Sequence, residues 1–147
     1  MTTGIDVIEN ACQKVSEGDL DNAKNIIMQN YTFKPLVKAK RQYTETQKTK
    51  VFRDDGFIDR YSGEKLVYPP VLRILSYIMP TEFPFQKNWK MSECHIAYWE
   101  LVPTIDHKNP ISRGGKDEYE NWVCTSQLRN NIKSNWTLEE LGWKLHD

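Results

Sequence analysis

The sequence predicts an α+β fold in which helices lead and a strand, loop, strand and helix close the chain. Three observations predict it. Apolar residues step by three and four through residues 4–30, the spacing of helix faces. β-Branched and aromatic residues crowd the run IAYWELVPTID at 96–106, and a second such run, Asn121 to Cys124, follows a loop bearing Pro110 and Gly114-Gly115. Ser126 to Lys133 then carries no helix breaker. A chain of 147 residues is long enough for one domain with an appendage. It can bury a core without disulfide or metal staples.

The elements follow in order. Ile5, Ile8, Cys12 and Val15 share one face of a first helix, and Thr3 with Asp6 can cap its start. Gly18 ends it and Asp19 caps a second helix reaching about Asn30, so the two form an antiparallel hairpin. Thr44 and Gln47 form a capping-box pattern ahead of a helix over about 45–53. Asp54-Asp55-Gly56 turns the chain into a short strand at Phe57–Tyr61, closed by a turn at 62–65. Val71, Leu72, Ile74, Leu75 and Ile78 fit a buried helix, and the stretch 81–95 reads as irregular. The run 96–106 reads as a strand, and the five tryptophans read as core. Thr137 and Glu140 cap a last short helix that Gly142 ends.

Composition excludes several classes. The chain is 39% hydrophobic and 12% aromatic, too rich in core formers to be disordered. Its formal net charge is zero, which argues against binding through bulk charge. That zero hides a pattern. Residues 34–53 hold seven cations against Glu45 alone, while residues 1–31 carry a net −3. The basic segment is a candidate phosphate-tracking surface, the bland alternative being a solvated helix face. Cys12, Cys94 and Cys124 make no C-x-x-C pair, so neither a disulfide framework nor a cysteine zinc site is expected. No apolar run is long enough to span a bilayer, and the start of the chain lacks the layout of a signal peptide. A cytoplasmic, soluble protein without a membrane partner is the expectation.

Polar groups gather at the corners of the closing strand–loop–strand–helix run. Asp106 and His107 end its first strand, Asn121 begins its second, and Asn130 lies in the helix. A hairpin packed on a helix can bring such groups together. They would combine a base, His107, with two oxygen ligands suited to a hard cation, Asp106 and Asn130. The bland alternatives are a packed structural histidine for His107 and, read in isolation, a turn residue for Asn121.

The stretch Asp106-His107-Lys108-Asn109-Pro110-Ile111-Ser112-Arg113-Gly114-Gly115, then Asn121-Trp122-Val123, then Arg129-Asn130-Asn131-Ile132-Lys133 resembles the HNH endonuclease motif. The spacing of nine from Asn121 to Asn130 matches that family's pattern, as does Lys133 three residues later. The matching region, 99–136, covers about a quarter of the chain. The resemblance implies a ββα-metal nuclease unit within residues 44–147, preceded by a helical region and basic linker over 1–43. It implies metal-dependent hydrolysis of DNA phosphodiesters by a one-metal mechanism. In it His107 is the general base and Asn121 pins the loop that orients it. Asp106 and Asn130 hold one Mg²⁺, Mn²⁺ or similar ion, with Ser134 as a weaker third ligand. The alternative is a non-catalytic nucleic-acid-binding or protein-interaction module on the same fold.

Many members of that family begin with a cysteine zinc ribbon. Here the corresponding positions hold Asp59, Ser62, Ser126 and Arg129, which cannot form a thiolate site. No structural zinc is therefore expected, and a bond set such as Asp59 to Arg129 is the candidate replacement. DNA is the expected partner, contacted by Lys38, Lys40, Arg41 and Lys48 from the basic segment and by Lys133 beside the site. Residues 1–31 are a candidate surface for a homodimer or a protein partner.

Overall fold

The computed structural model describes residues 3–37 and 40–147. The chain divides into two compact units, Met1–Leu36 and Val37–Asp147. In the first, α1 (Gly4–Ser16) starts from a capping box between Thr3 and Asp6, and α2 (Leu20–Asn30) starts from an Asp19 cap on the Asn22 N–H. Gly18 makes the turn between them at φ +79°. The helices pack on each other, but through Val7, Ala11 and Ala23. Ile5, Ile8 and Val15, expected to face inward, are exposed. Small side chains let two helices approach closely, and here that contact wins over the larger apolar residues.

The second unit is built around one antiparallel pair, β1 (Pro103–His107) and β2 (Trp122–Ser126). The protein is thus mixed helix with a small two-stranded sheet, an α+β arrangement. The register sets Ile105 opposite Cys124, Asp106 opposite Val123 and His107 opposite Trp122. Before the sheet come α3 (Glu45–Asp54), α4 (Pro69–Ile78) and the single turn α5 (Ala97–Glu100); after it come α6 (Gln127–Lys133) and α7 (Leu138–Leu141). Two 3₁₀ turns, Ile111–Arg113 and Tyr119–Asn121, shape the loop between the strands. The Thr44–Gln47 and Thr137–Glu140 capping boxes both form, and α4 carries its two prolines in the first turn, where their missing N–H groups are not needed.

Two hydrophobic clusters hold this unit. Ile105, Trp122 and Cys124 pack with Val51, Phe52 and Leu66 on one side of the sheet. Leu72, Cys94, Tyr98, Trp99 and Val102 form the other cluster, joined by Phe83, Phe85, Trp89 and Leu128. Residues 40–43 belong here rather than with the N-terminal region. The Gln42 N–H bonds to Asp117, and the Tyr43 ring meets Trp122 edge-on at 5.6 Å.

Four further expectations need correction. α4 is not a buried helix: Leu72 is buried, while Val71, Ile74 and Ile78 are exposed, because only one face of the helix meets the second cluster. The first half of 96–106 is helical, because Tyr98 and Trp99 reach the second cluster from a turn closed by Leu101 N–H on Ala97 O. The strand begins only at Pro103, where the ladder needs no N–H. The stretch 57–61 forms a knuckle with a single bridge, Ile58 to Lys65, because Gly56 and Phe57 adopt positive φ and curl the chain. Trp136 is exposed, standing beyond the end of α6 with the Arg113 guanidinium over its ring. Among the described residues no helix is long and apolar enough to cross a membrane.

Candidate active site

The pleat of β1 sends successive side chains to opposite faces. Ile105 and His107 therefore share the face carrying Trp122 and Cys124, while Asp106 faces the other way with Val123. On the first face His107 is 2% exposed. Its Nε2 lies 2.7 Å from Asp117 Oδ1. The Trp122 indole N–H reaches the same carboxylate oxygen at 2.9 Å and His107 Nε2 at 3.1 Å. The Gln42 N–H donates to the other Asp117 oxygen. Burial pushes the Asp117 carboxyl up, but the bonds from His107, the Gln42 N–H and Trp122 outweigh it and hold it below the usual carboxylate range.

On the second face Asp106 is 3% exposed and meets α6. Its Oδ2 accepts the Tyr61 hydroxyl at 2.7 Å and lies 2.9 Å from Lys133 Nζ. Lys133 is fully buried and also donates to His107 O at 2.8 Å. Burial, then the Asp106 charge, push the Tyr61 phenol up, so it stays a donor. One turn back on α6, Asn130 donates from Nδ2 to Ile105 O at 3.1 Å, which brings its amide beside the strand at Asp106. The second Asp106 oxygen and the Asn130 amide oxygen take no bond among the described residues. This donor set is hard oxygen and suits a divalent ion that completes its shell with water and phosphate. The Lys133 ammonium already answers the Asp106 charge, so such an ion would compete with it. No group of three or more His, Cys, Asp or Glu side chains arranged for a metal occurs among the described residues.

Asn121 organises the loop between the strands. Its amide accepts the Asn109 N–H at 2.9 Å and donates to Asn109 O and Lys116 O, both at 2.8 Å. The paired glycines answer two demands. Gly114 sits at φ +91°, and a Cβ on Gly115 would lie 1.9 Å from Asn109 O. Only glycine lets the loop fold this tightly, and the fold delivers Asp117 to His107.

The knuckle at 56–65 packs against the end of β2. Asp59, 1% exposed, accepts the Tyr61 N–H at 2.9 Å, the Thr125 hydroxyl at 2.9 Å and the Ser126 N–H at 2.8 Å. Arg129 Nε stands 3.9 Å from Asp59, and its Nη2 reaches Glu64 at 3.4 Å. Ser62 bonds Glu64, and Ser126 caps α6 through the Arg129 N–H. The bonds at this corner are centred on Asp59 and made chiefly to backbone and hydroxyl donors, with Arg129 at their edge.

The expected phosphate contacts divide. Lys38 lies outside the described residues. Lys40 and Arg41 are exposed. Lys48 pairs with Glu45 at 3.1 Å within α3. Its neighbour Lys50 pairs with Asp54 and lies over the Tyr119 ring. Lys133 does not reach the surface, because Asp106 and His107 O hold its ammonium inside. It is a partner of Asp106 rather than a phosphate contact. Ser134, at the end of α6, is exposed.

Three members of the site went unnoticed in the sequence: Asp117, Tyr61 and the indole N–H of Trp122. Asp117 carried one readable signal, a carboxylate two residues after Gly114-Gly115 in a loop that must fold back on itself. Compared with protein-family models, with curated proteins and with solved structures, the chain gives no match.

Proposed function

We propose that the unit Val37–Asp147 is a metal-dependent endonuclease of the HNH type, acting on DNA phosphodiesters. The observation that carries this reading is the β1–loop–β2–α6 order, with His107 and Asp106 at the end of one strand, Asn121 tying the loop and Asn130 on the helix beside the strand. Asp106 and Asn130 would hold a Mg²⁺ or Mn²⁺ ion, which supplies Lewis-acid stabilisation of charge on the phosphate. His107 takes the proton of the attacking water. Asn121 keeps the loop closed over the strand end. Exposed Lys40 and Arg41, with Lys108 and Lys116 on the rim of the loop, offer cations to the DNA backbone.

Three observations favour a second reading. His107 is almost wholly buried, it lies on the face of β1 opposite Asp106, and Asp106 is paired with Lys133, as a binding module with a closed site would have them. Supercoiled plasmid incubated with Mg²⁺ separates the two. The nuclease reading expects nicked or linear product, and a loss of about 10²–10⁴-fold in His107→Ala. Plasmid that is bound and never cut, in Mg²⁺ or Mn²⁺, would establish the binding module instead.

A further inference from the structure

We propose that Asp117 is the residue that sets the tautomer and the plane of the His107 ring, leaving Nδ1 as the nitrogen offered to water; the role of that nitrogen in cleavage rests on the nuclease reading above. The geometry carries it. A carboxylate oxygen 2.7 Å from His107 Nε2 would meet lone pair with lone pair unless Nε2 bears the proton. An indole nitrogen is a donor only, so the Trp122 N–H between the two atoms must spend itself on the carboxylate. Nε2–H and the Trp122 N–H therefore converge on Asp117 Oδ1, and the Gln42 N–H holds the second oxygen. Three donors from three segments fix one carboxylate, and the carboxylate fixes the ring.

Nδ1 is then the lone-pair nitrogen, and it takes no protein partner among the described residues. In cleavage, a water proton passes to Nδ1 and the freed oxygen bonds to phosphorus. The bond from phosphorus to the leaving sugar oxygen breaks, and solvent protonates that oxygen. The imidazolium left behind faces the Asp117 carboxylate through Nε2–H. Asn121 acts one step further out. Its bond to Lys116 O holds the residue immediately before Asp117.

The test reads the ring directly. Long-range ¹H–¹⁵N spectra of histidine-labelled protein, at a pH where the ring is neutral, should show the Nε2–H tautomer for His107. An Nδ1–H tautomer in the parent protein overturns the proposal without any variant. Asp117→Asn puts an amide that can donate where only an acceptor stood, so the Nδ1–H form should gain; an unchanged tautomer overturns the proposal. On supercoiled plasmid with Mg²⁺, Asp117→Asn should lower kcat roughly 10²–10⁴-fold at unchanged KM. A shifted tautomer with undiminished kcat removes the positioning role. A parent protein that cuts no plasmid yet keeps the Nε2–H tautomer, and loses it in Asp117→Asn, sinks the nuclease reading and supports the Asp117 clamp.

Discussion

Asp59 and Asp106 are two buried carboxylates serving opposite ends of the same hairpin, and Tyr61 touches both. Its N–H goes to Asp59 and its hydroxyl to Asp106. Their other partners differ in kind. Asp59 is held by a hydroxyl and a further backbone N–H, neutral donors whose direction is set by the fold. Asp106 is held by an ammonium. Neutral backbone donors cannot leave without unfolding the chain, so a carboxylate satisfied by them is a structural fixture. A cation is held mainly by charge, so one cation can stand in for another. The difference gives the knuckle an architectural role and, on the nuclease reading proposed above, makes the α6 side of β1 the place where a divalent ion would compete with Lys133.

The sharpest break is at Lys133. Removing one partner of a buried ion pair leaves an uncompensated charge and costs about 3–5 kcal/mol. Lys133→Met, which keeps much of the chain's shape, should therefore lower stability by that amount in urea or thermal unfolding. Adding Asp106→Asn should restore more than half, because an amide carries no charge and its oxygen still accepts from Tyr61. A double variant no more stable than Lys133→Met would mean that shape, not charge, holds this corner.

Asp59 should behave otherwise. Asp59→Asn keeps one acceptor oxygen and turns an NH₂ toward a donor the carboxylate had satisfied. One unsatisfied buried donor costs about 1–3 kcal/mol. No neutralising change elsewhere should recover it, because no cation's charge is left stranded. EDTA should leave the melting temperature of the parent protein in place, since the donors around Asp59 are groups of the chain itself. A fall in EDTA that persists in Asp106→Asn, where the proposed ion has lost its carboxylate, would show a metal where the knuckle is described as hydrogen-bonded.

The elements that carry this contrast were within reach of the sequence, the contrast itself was not, and the missing part has a physical cause. The caps at Thr3, Asp19, Thr44 and Thr137 were legible because a cap is local, its donor and acceptor two or three residues apart. The order strand, loop, strand, helix was legible from period and breakers. The partners of the key side chains were not, because they come from far along the chain: Tyr61 lies 45 residues before Asp106, and Asp59 lies 66 before Thr125. The helical turn at Ala97–Glu100 was misread for a related reason. Its β-forming residues obey the packing of Tyr98 and Trp99, which no window of sequence contains. Lys133, expected from the sequence to contact DNA beside the site, is buried instead, because a charge reveals its burial only once its counter-charge is known.

The smallest effect belongs to Arg129, the residue the sequence offered as Asp59's partner. Its side chain is 35% exposed, its Nε stands 3.9 Å from Asp59, and it shares its charge with exposed Glu64. Water screens such a contact, and pairs of this kind contribute about 0–1 kcal/mol. Arg129→Ala should cost under about 1 kcal/mol, well below the loss from Asp59→Asn. In a double-mutant cycle the coupling between the two should be of the same small size, because Asp59 keeps its Tyr61, Thr125 and Ser126 donors when the guanidinium goes. A coupling of about 2 kcal/mol or more would make Arg129 the true counter-charge. Asp59 would then be held by a cation, as Asp106 is, and the distinction between the two carboxylates would fail.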